Sequence, residues 1–238
     1  MTFRLKRRAA PPNWPVSRRG TKWIQRPAPG PHGFEESLAL SLVLRDVLHL
    51  TESAREVQKL LREGKVTVDG KVVKDPARGI GLMDVLSLGA PPTQHYRVLK
   101  SRLGKLEIHP ISAEEAKFKL ARIRFKHTVP GGKVAVTLHD GRNILVPANS
   151  QYKVGDTLRI ELPGQKVIAR LALSSGMLAY VSGGSHVGEV AHVDRIEVVP
   201  SSEPNKIHFK EGFSTVKSFA FVVGEATPVI SLLEGVAK

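Results

Sequence analysis

The tightest constraint in this chain is Asp69-Gly70, set between the β-branched runs Lys65-Val66-Thr67-Val68 and Lys71-Val72-Val73. That dipeptide accepts the two positive φ angles of a type I′ turn, so a two-residue hairpin and its register are expected here. Upstream, Ser53 and Glu56 have the spacing of a capping box, and Val57, Leu60 and Leu61 share one helical face. Gly64 stands where a left-handed cap belongs. A helix of about three turns therefore leads into the hairpin. Before it, Leu40, Val43, Leu44, Val47 and Leu48 recur at three and four residues, a second apolar stripe able to pack on the first. After it, Asp75-Pro76 breaks the chain, Gly79 and Gly81 loosen it, and Met83 to Leu88 resumes as a mostly apolar strand.

The helix face away from this core carries Arg55, Lys59 and Arg62, and the hairpin adds Lys65, Lys71 and Lys74. Six cations on one compact element suit a polyphosphate partner. The competing reading is an ordinary helix-hairpin unit with a solvated charged face.

The run Ser53-Ala54-Arg55-Glu56-Val57, then Leu60-Leu61, then Glu63 to Pro76, resembles the S-four (S4) RNA-binding domain. That module lays a helix pair and hairpin against structured RNA. One departure stands out: where it often has Ser-Arg-x-Glu, Ala54 occupies the arginine position, so Arg55 does not inherit that contact.

Composition agrees. Lys+Arg 36 against Asp+Glu 22 gives a net charge of +14 and a pI near 10.2, as in nucleic-acid binders, with an anionic membrane surface as the rival partner. No run of about eighteen apolar residues is present, and no apolar signal core follows the basic N-terminus, so a soluble, unsecreted chain is expected. Cysteine is absent, which excludes disulfides, thiolate nucleophiles and cysteine zinc sites. The nine histidines lack the i, i+4 pairing of a helical metal site, so no metal is expected.

Residues 1–30 hold Arg4, Lys6, Arg7, Arg8, Arg18, Arg19, Lys22 and Arg26, five prolines and no acidic residue. Such a segment is expected to lack a core, to stay extended, and to order along a polyanion. Trp14 and Trp23, the chain's two tryptophans, both fall inside it. Two roles are open to them: stacking on exposed bases, or pinning the arm to the protein's own apolar surface. The basic cluster also fits a nuclear or nucleolar address.

Beyond Leu88, turn signals recur every eight to twelve residues: Lys100 to Gly104, Pro130-Gly131-Gly132, Asp140-Gly141, Val154 to Thr157 and Pro163-Gly164. That spacing indicates small barrel-like β modules, with one short capped helix at Ser112 to Glu115. Strands are expected at Arg195–Val199, Ile207–Phe209 and Phe219–Val223, and Ile230 to Gly235 is a terminal segment with no assigned element. Gly176 to Val190 resembles the KOW motif, a strand-turn-strand of ribosomal and transcription-elongation proteins. Its glycines, Gly183 and Gly184, would let the turn backbone approach RNA closely.

S4-type modules also ride on RNA-modifying enzymes. The best catalytic candidate is Asp140, beside His139 and Arg142, although Asp-Gly is also what a hairpin turn needs. No paired carboxylates or nucleophile elbow appears.

Taken in order, these parts resemble the S-four-e family of small-subunit ribosomal proteins of archaea and eukaryotes. Supporting stretches are Gly30-Pro31-His32, Gly81 to Val85, Ile111 to Lys117 and Thr137 to Arg142. The expected class is α+β: a basic extended arm (1–36), an S4-like helix-helix-hairpin module (37–100), a small central barrel-like β domain (101–173), and a KOW/SH3-like β-barrel with the C-terminal segment (174–238). The resemblance implies a non-enzymatic, cytoplasmic role in the ribosome without a cofactor, with small-subunit ribosomal RNA and neighbouring ribosomal proteins as partners and neither membrane nor small-molecule substrate. An RNA-modifying enzyme, or a free RNA-binding factor carrying an S4 domain, is the alternative.

Overall fold

The computed structural model describes residues 4–89, 93–147 and 151–232. They form two compact units, one of residues 1–119 with 162–164 and the other of residues 120–161 with 165–238.

In the first unit the arm is folded, contrary to expectation. Strands β1 (Arg4–Lys6) and β2 (Trp23–Gln25) pair antiparallel, with Arg4 opposite Gln25. Ala10, Trp14 and Ile24 are buried in the same core as Leu38 to Leu44. Counting prolines and charges correctly says that the segment builds no core of its own. It joins one made by later residues, and the Arg7 guanidinium is neutralised locally as it does so.

β3 (Ser37–Ala39) leads into α1 (Leu40–Leu42), which continues as a π turn over Val43–Val47, where the Leu48 N–H donates to the Val43 carbonyl at 2.9 Å. Leu40, Val43 and Leu44 are fully buried. α2 (Ala54–Arg62) begins at the expected cap: Ser53 Oγ accepts from the Glu56 N–H, and the Glu56 carboxylate accepts from Ser53 Oγ at 2.8 Å and from the Glu52 N–H at 3.0 Å. Those bonds, led by the one from the Glu52 backbone, lower the Glu56 pKa. Val57 and Leu61 face the core, and Gly64 closes the helix at φ 71°.

The hairpin is as expected. β4 (Val66–Val68) and β5 (Lys71–Val72) flank Asp69 at φ 51° and Gly70 at φ 74°. β6 (Gly79–Gly81) pairs with β3, while β7 (Val85–Leu88), β8 (Gln94–Lys100) and β9 (Leu106–Ile111) complete a sheet of order β5-β4-β7-β8-β9. A boundary at residue 100 would cut this sheet between two paired strands. The unit instead runs on through a 3-10 turn, Glu115–Lys117, that Ser112 Oγ caps from the Glu115 N–H.

Lys119, near the start of β10 (Phe118–Val129), is 1% exposed and lies 3.0 Å from Asp69 Oδ2 and 2.5 Å from Asp84 Oδ1. Asp84 Oδ2 in turn meets His32 Nε2 and the Gly81 N–H, both at 2.9 Å. Gly81 has to be glycine, because a Cβ there would overlap the His32 ring. Burial works against the charged form of Asp84, but the Lys119 ammonium and then His32 outweigh it and hold its pKa well below the carboxylate range.

The second unit is all strand and turn among its described residues. β11 (Lys133–Leu138), β12 (Asn143–Pro147), β13 (Thr157–Glu161) and β14 (Val167–Leu171) assemble with β10 in the order β12-β11-β10-β13-β14 over Val134, Val136, Leu158 and Ile160. β15 (Leu178–Val181), β16 (Val190–Glu197), β17 (Lys206–Phe209), β18 (Ser214–Val216) and β19 (Ala220–Gly224) form a second sheet, order β18-β17-β16-β15-β19, over Ala179, Val193 and Ile207.

The described chain is therefore mostly β with few helices. The expected barrels appear as five-stranded antiparallel sheets whose edge strands do not pair with each other among the described residues. Phe219 closes a 3-10 turn, Lys217–Phe219, and does not open the last strand. Ile230 is buried, while residues 233–235 of the unassigned terminal segment lie outside the described residues.

Candidate nucleic-acid interface

Arg55, Lys59 and Arg62 fall at i, i+4 and i+7 on α2, which turns all three away from Val57 and Leu61 and into solvent. With Gln58 and Glu63 they line a shallow groove along the helix. Lys65, Lys71 and Lys74 are likewise exposed, and α2 ends against the hairpin: a Cβ on Gly64 would stand 3.6 Å from Val72 Cγ1. One of the six is tempered. Lys65 Nζ sits 2.6 Å from Glu63, and that hydrogen bond lowers the Glu63 pKa, so this pair presents less net charge than its neighbours.

The arm cations divide. Arg4, Lys6, Arg8, Arg18, Arg19, Lys22 and Arg26 are exposed. Arg7 is not a surface contact: its guanidinium donates to the carbonyls of Thr21 and Ser17, both at 2.9 Å, and lies 3.8 Å from Asp46. Arg18 Nη1 donates to the Arg8 carbonyl at 2.8 Å and so braces the same loop. The tryptophans split between the two roles. Trp14 is 2% exposed and packs edge-on against Phe34, whereas Trp23 is 46% exposed with Lys22 Nζ over its ring.

In the KOW-like hairpin the glycine at 183 has a reason internal to the protein. A Cβ there would lie 2.7 Å from the Phe219 ring, so Gly183 makes room for Phe219 and is only partly exposed. Gly184, at φ 88°, is exposed and needed for the turn. Phe219 is distant in the chain, so no local signal announces this internal role of Gly183.

Asp140 is 2% exposed. Its carboxylate accepts from the Arg142 backbone N–H at 3.3 Å and meets Arg142 Nε at 3.1 Å, inside a turn that Gly141 closes at φ 77°. It is a turn residue. Among the described residues no cluster of three His, Asp or Glu could hold a metal ion, and no helix is long and apolar enough to cross a membrane. A basic cleft beside β10, lined by Arg122, Arg124 and Lys217, has walls that come from segments far apart in the chain, so no local signal in the sequence marks it.

Comparison with known proteins bears on the same regions. The chain matches the model described as ribosomal family S4e over residues 93–167, the RS4NT (NUC023) domain over 1–35 and the S4 domain over 46–86. It is 39% identical to the small ribosomal subunit protein eS4 of Methanothermobacter thermautotrophicus, covering 97% of this chain and 96% of that one. It is 41% identical to eS4 of Methanocaldococcus jannaschii, covering 96% of each. The crystal structure of the 30S ribosomal protein S4e from Thermoplasma acidophilum superposes with a TM-score of 0.71 at 34% identity, over 80% of this chain and 96% of that one.

Proposed function

The chain belongs to ribosomal protein family S4e, and from that premise we infer that it is a structural, non-enzymatic constituent of the small ribosomal subunit that binds ribosomal RNA and supports subunit assembly and translation in the cytoplasm. Its partners are ribosomal RNA and neighbouring ribosomal proteins. The observation that carries the RNA contact is the exposure of all six cations on α2 and the hairpin, which pack on the core of the first unit. Arg55, Lys59, Arg62, Lys71 and Lys74, with Lys65 beside Glu63, take phosphates at positions fixed by the fold. The seven exposed arm cations add charge on a docked segment, and Trp23 offers a ring to an unpaired base. The KOW-like hairpin contributes through its exposed turn at Gly184.

The test is co-sedimentation with small ribosomal subunits on a sucrose gradient. The protein is expected to travel with the subunit, and a protein left wholly at the top of the gradient overturns this reading.

A further inference from the structure

Within the second unit, β10, the Val154-Gly155 turn and the 3-10 turn at Lys217 enclose a cleft of about 420 Å³. Its walls are apolar at Ile123, Val154, Pro204 and Val216, while Arg122, Arg124 and Lys217 supply positive charge and no carboxylate lines it among the described residues. The cations are positioned by the fold. Arg122 Nη1 donates to the Ala220 carbonyl at 3.3 Å. Gly155, at φ 102°, lets the Lys217 stem lie on the backbone, since a Cβ there would be 3.0 Å from Lys217 Cε. The Arg124 guanidinium lies over the ring of Phe125, 5.1 Å from its centroid, and that ring is 55% exposed. β10 bulges between Ile123 and Phe125, at the cleft-lining Arg124, so the Phe125 ring adjoins the cleft through that guanidinium.

We propose that this cleft is a second RNA site that takes an unstacked nucleotide of single-stranded RNA, with the base against Phe125 and the apolar wall and its phosphate on Arg124 and Lys217. The proposal rests on the ribosomal reading above and deepens it. The volume lies in the range of small-ligand clefts, about 300–1,000 Å³. A duplex keeps its bases stacked and offers a concave cleft only its backbone, whereas a splayed nucleotide presents a flat apolar face beside one anionic group. An exposed aromatic ring already carrying a guanidinium is a stacking platform of the kind single-strand binders use. A protein side chain in the cleft is the competing occupant.

The full-length protein is titrated with a short oligoadenylate and with an abasic ribose-phosphate strand of equal length. The abasic strand has the same charge and no bases. Oligoadenylate is expected to bind about tenfold more tightly or better. In a Trp23→Ala background, which removes the exposed ring of the arm, Phe125→Ala should erase that preference while leaving abasic binding unchanged. Lys217→Glu should weaken both strands, and the triple change Lys59→Glu, Arg62→Glu and Lys71→Glu should leave the preference intact. Equal binding of the two strands, binding of neither, or a preference that survives Phe125→Ala overturns the proposal and leaves the cleft to a protein neighbour. A protein that still co-sediments with small subunits but shows no base preference sinks this proposal alone.

Discussion

The ammonium of Lys119 lies 3.0 Å from Oδ2 of Asp69, a residue fifty positions earlier that opens the hairpin turn. Asp69 Oδ1 also accepts from the Val85 N–H at 3.0 Å. The turn that presents Lys71 is thus anchored from beneath by a buried ion pair, and the aim of the hairpin depends on a residue outside the segment matched as an S4 domain. Removing one partner of such a pair costs more than the pair contributes, because the remaining charge stays buried.

Lys119→Met should destabilise the protein by about 3–5 kcal/mol, since it takes the shared ammonium away from two buried carboxylates, Asp69 and Asp84. Urea unfolding followed by circular dichroism measures this, and a loss below about 1 kcal/mol would mean that the carboxylates find other compensation.

The depressed pKa of Asp84 sets a pH dependence. A carboxylate whose folded pKa lies below its unfolded value stabilises fully above about pH 4–5, and that contribution is lost as pH falls through the folded pKa. The stability difference between the wild type and Asp84→Asn should therefore shrink as pH falls from about 5 to about 3. Denaturant melts across that range check it; a difference that grows on acidification contradicts the assigned direction.

The tryptophans should separate fold from binding. Trp14→Ala should cost about 3–5 kcal/mol of stability, as expected for a large buried ring. Trp23→Ala should leave the melting curve in place and lower RNA affinity. Deletion of residues 1–30 should behave like Trp14→Ala, exposing Leu38 to Leu44, and unchanged melting of the deleted protein would show that the arm is dispensable to the core.

Reversal of Lys59, Arg62 and Lys71 to glutamate should reduce the slope of log affinity against log salt by about three and remove preference for the correct ribosomal RNA fragment over an unrelated duplex. All three side chains are exposed, so circular dichroism should be unchanged. Retained preference would assign site selection to the arm.

What could be read from the sequence was what neighbours in the chain decide. The Asp69-Gly70 turn, the Ser53 cap and the Gly64 stop are local, and each is found where its spacing puts it. The Leu40 to Leu48 stripe was correctly apolar, but three- and four-residue recurrence does not distinguish an α-helix from one that widens into a π turn. The rest concerns distant partners. Arg7 counts among the surface cations of the arm until Thr21 and Asp46 come beside it, and the internal role of Gly183 shows only once Phe219 packs against it. Nothing adjacent to Arg124 in the chain points to a cleft, because only folding brings Val154 and Lys217 beside it.

Because the arm leans on Leu38 to Leu44, Leu61, Val98 and Leu106, its docking site does not exist while the arm itself is being synthesised. During translation the first thirty residues emerge as a naked polycation, and the surface that will hold Trp14 and Ile24 is completed only when β9 has left the exit tunnel. A vectorially made chain thus passes through an interval in which its most basic segment is available to any nearby RNA before the globule can claim it. The order of residues along the gene is also an order of availability in time.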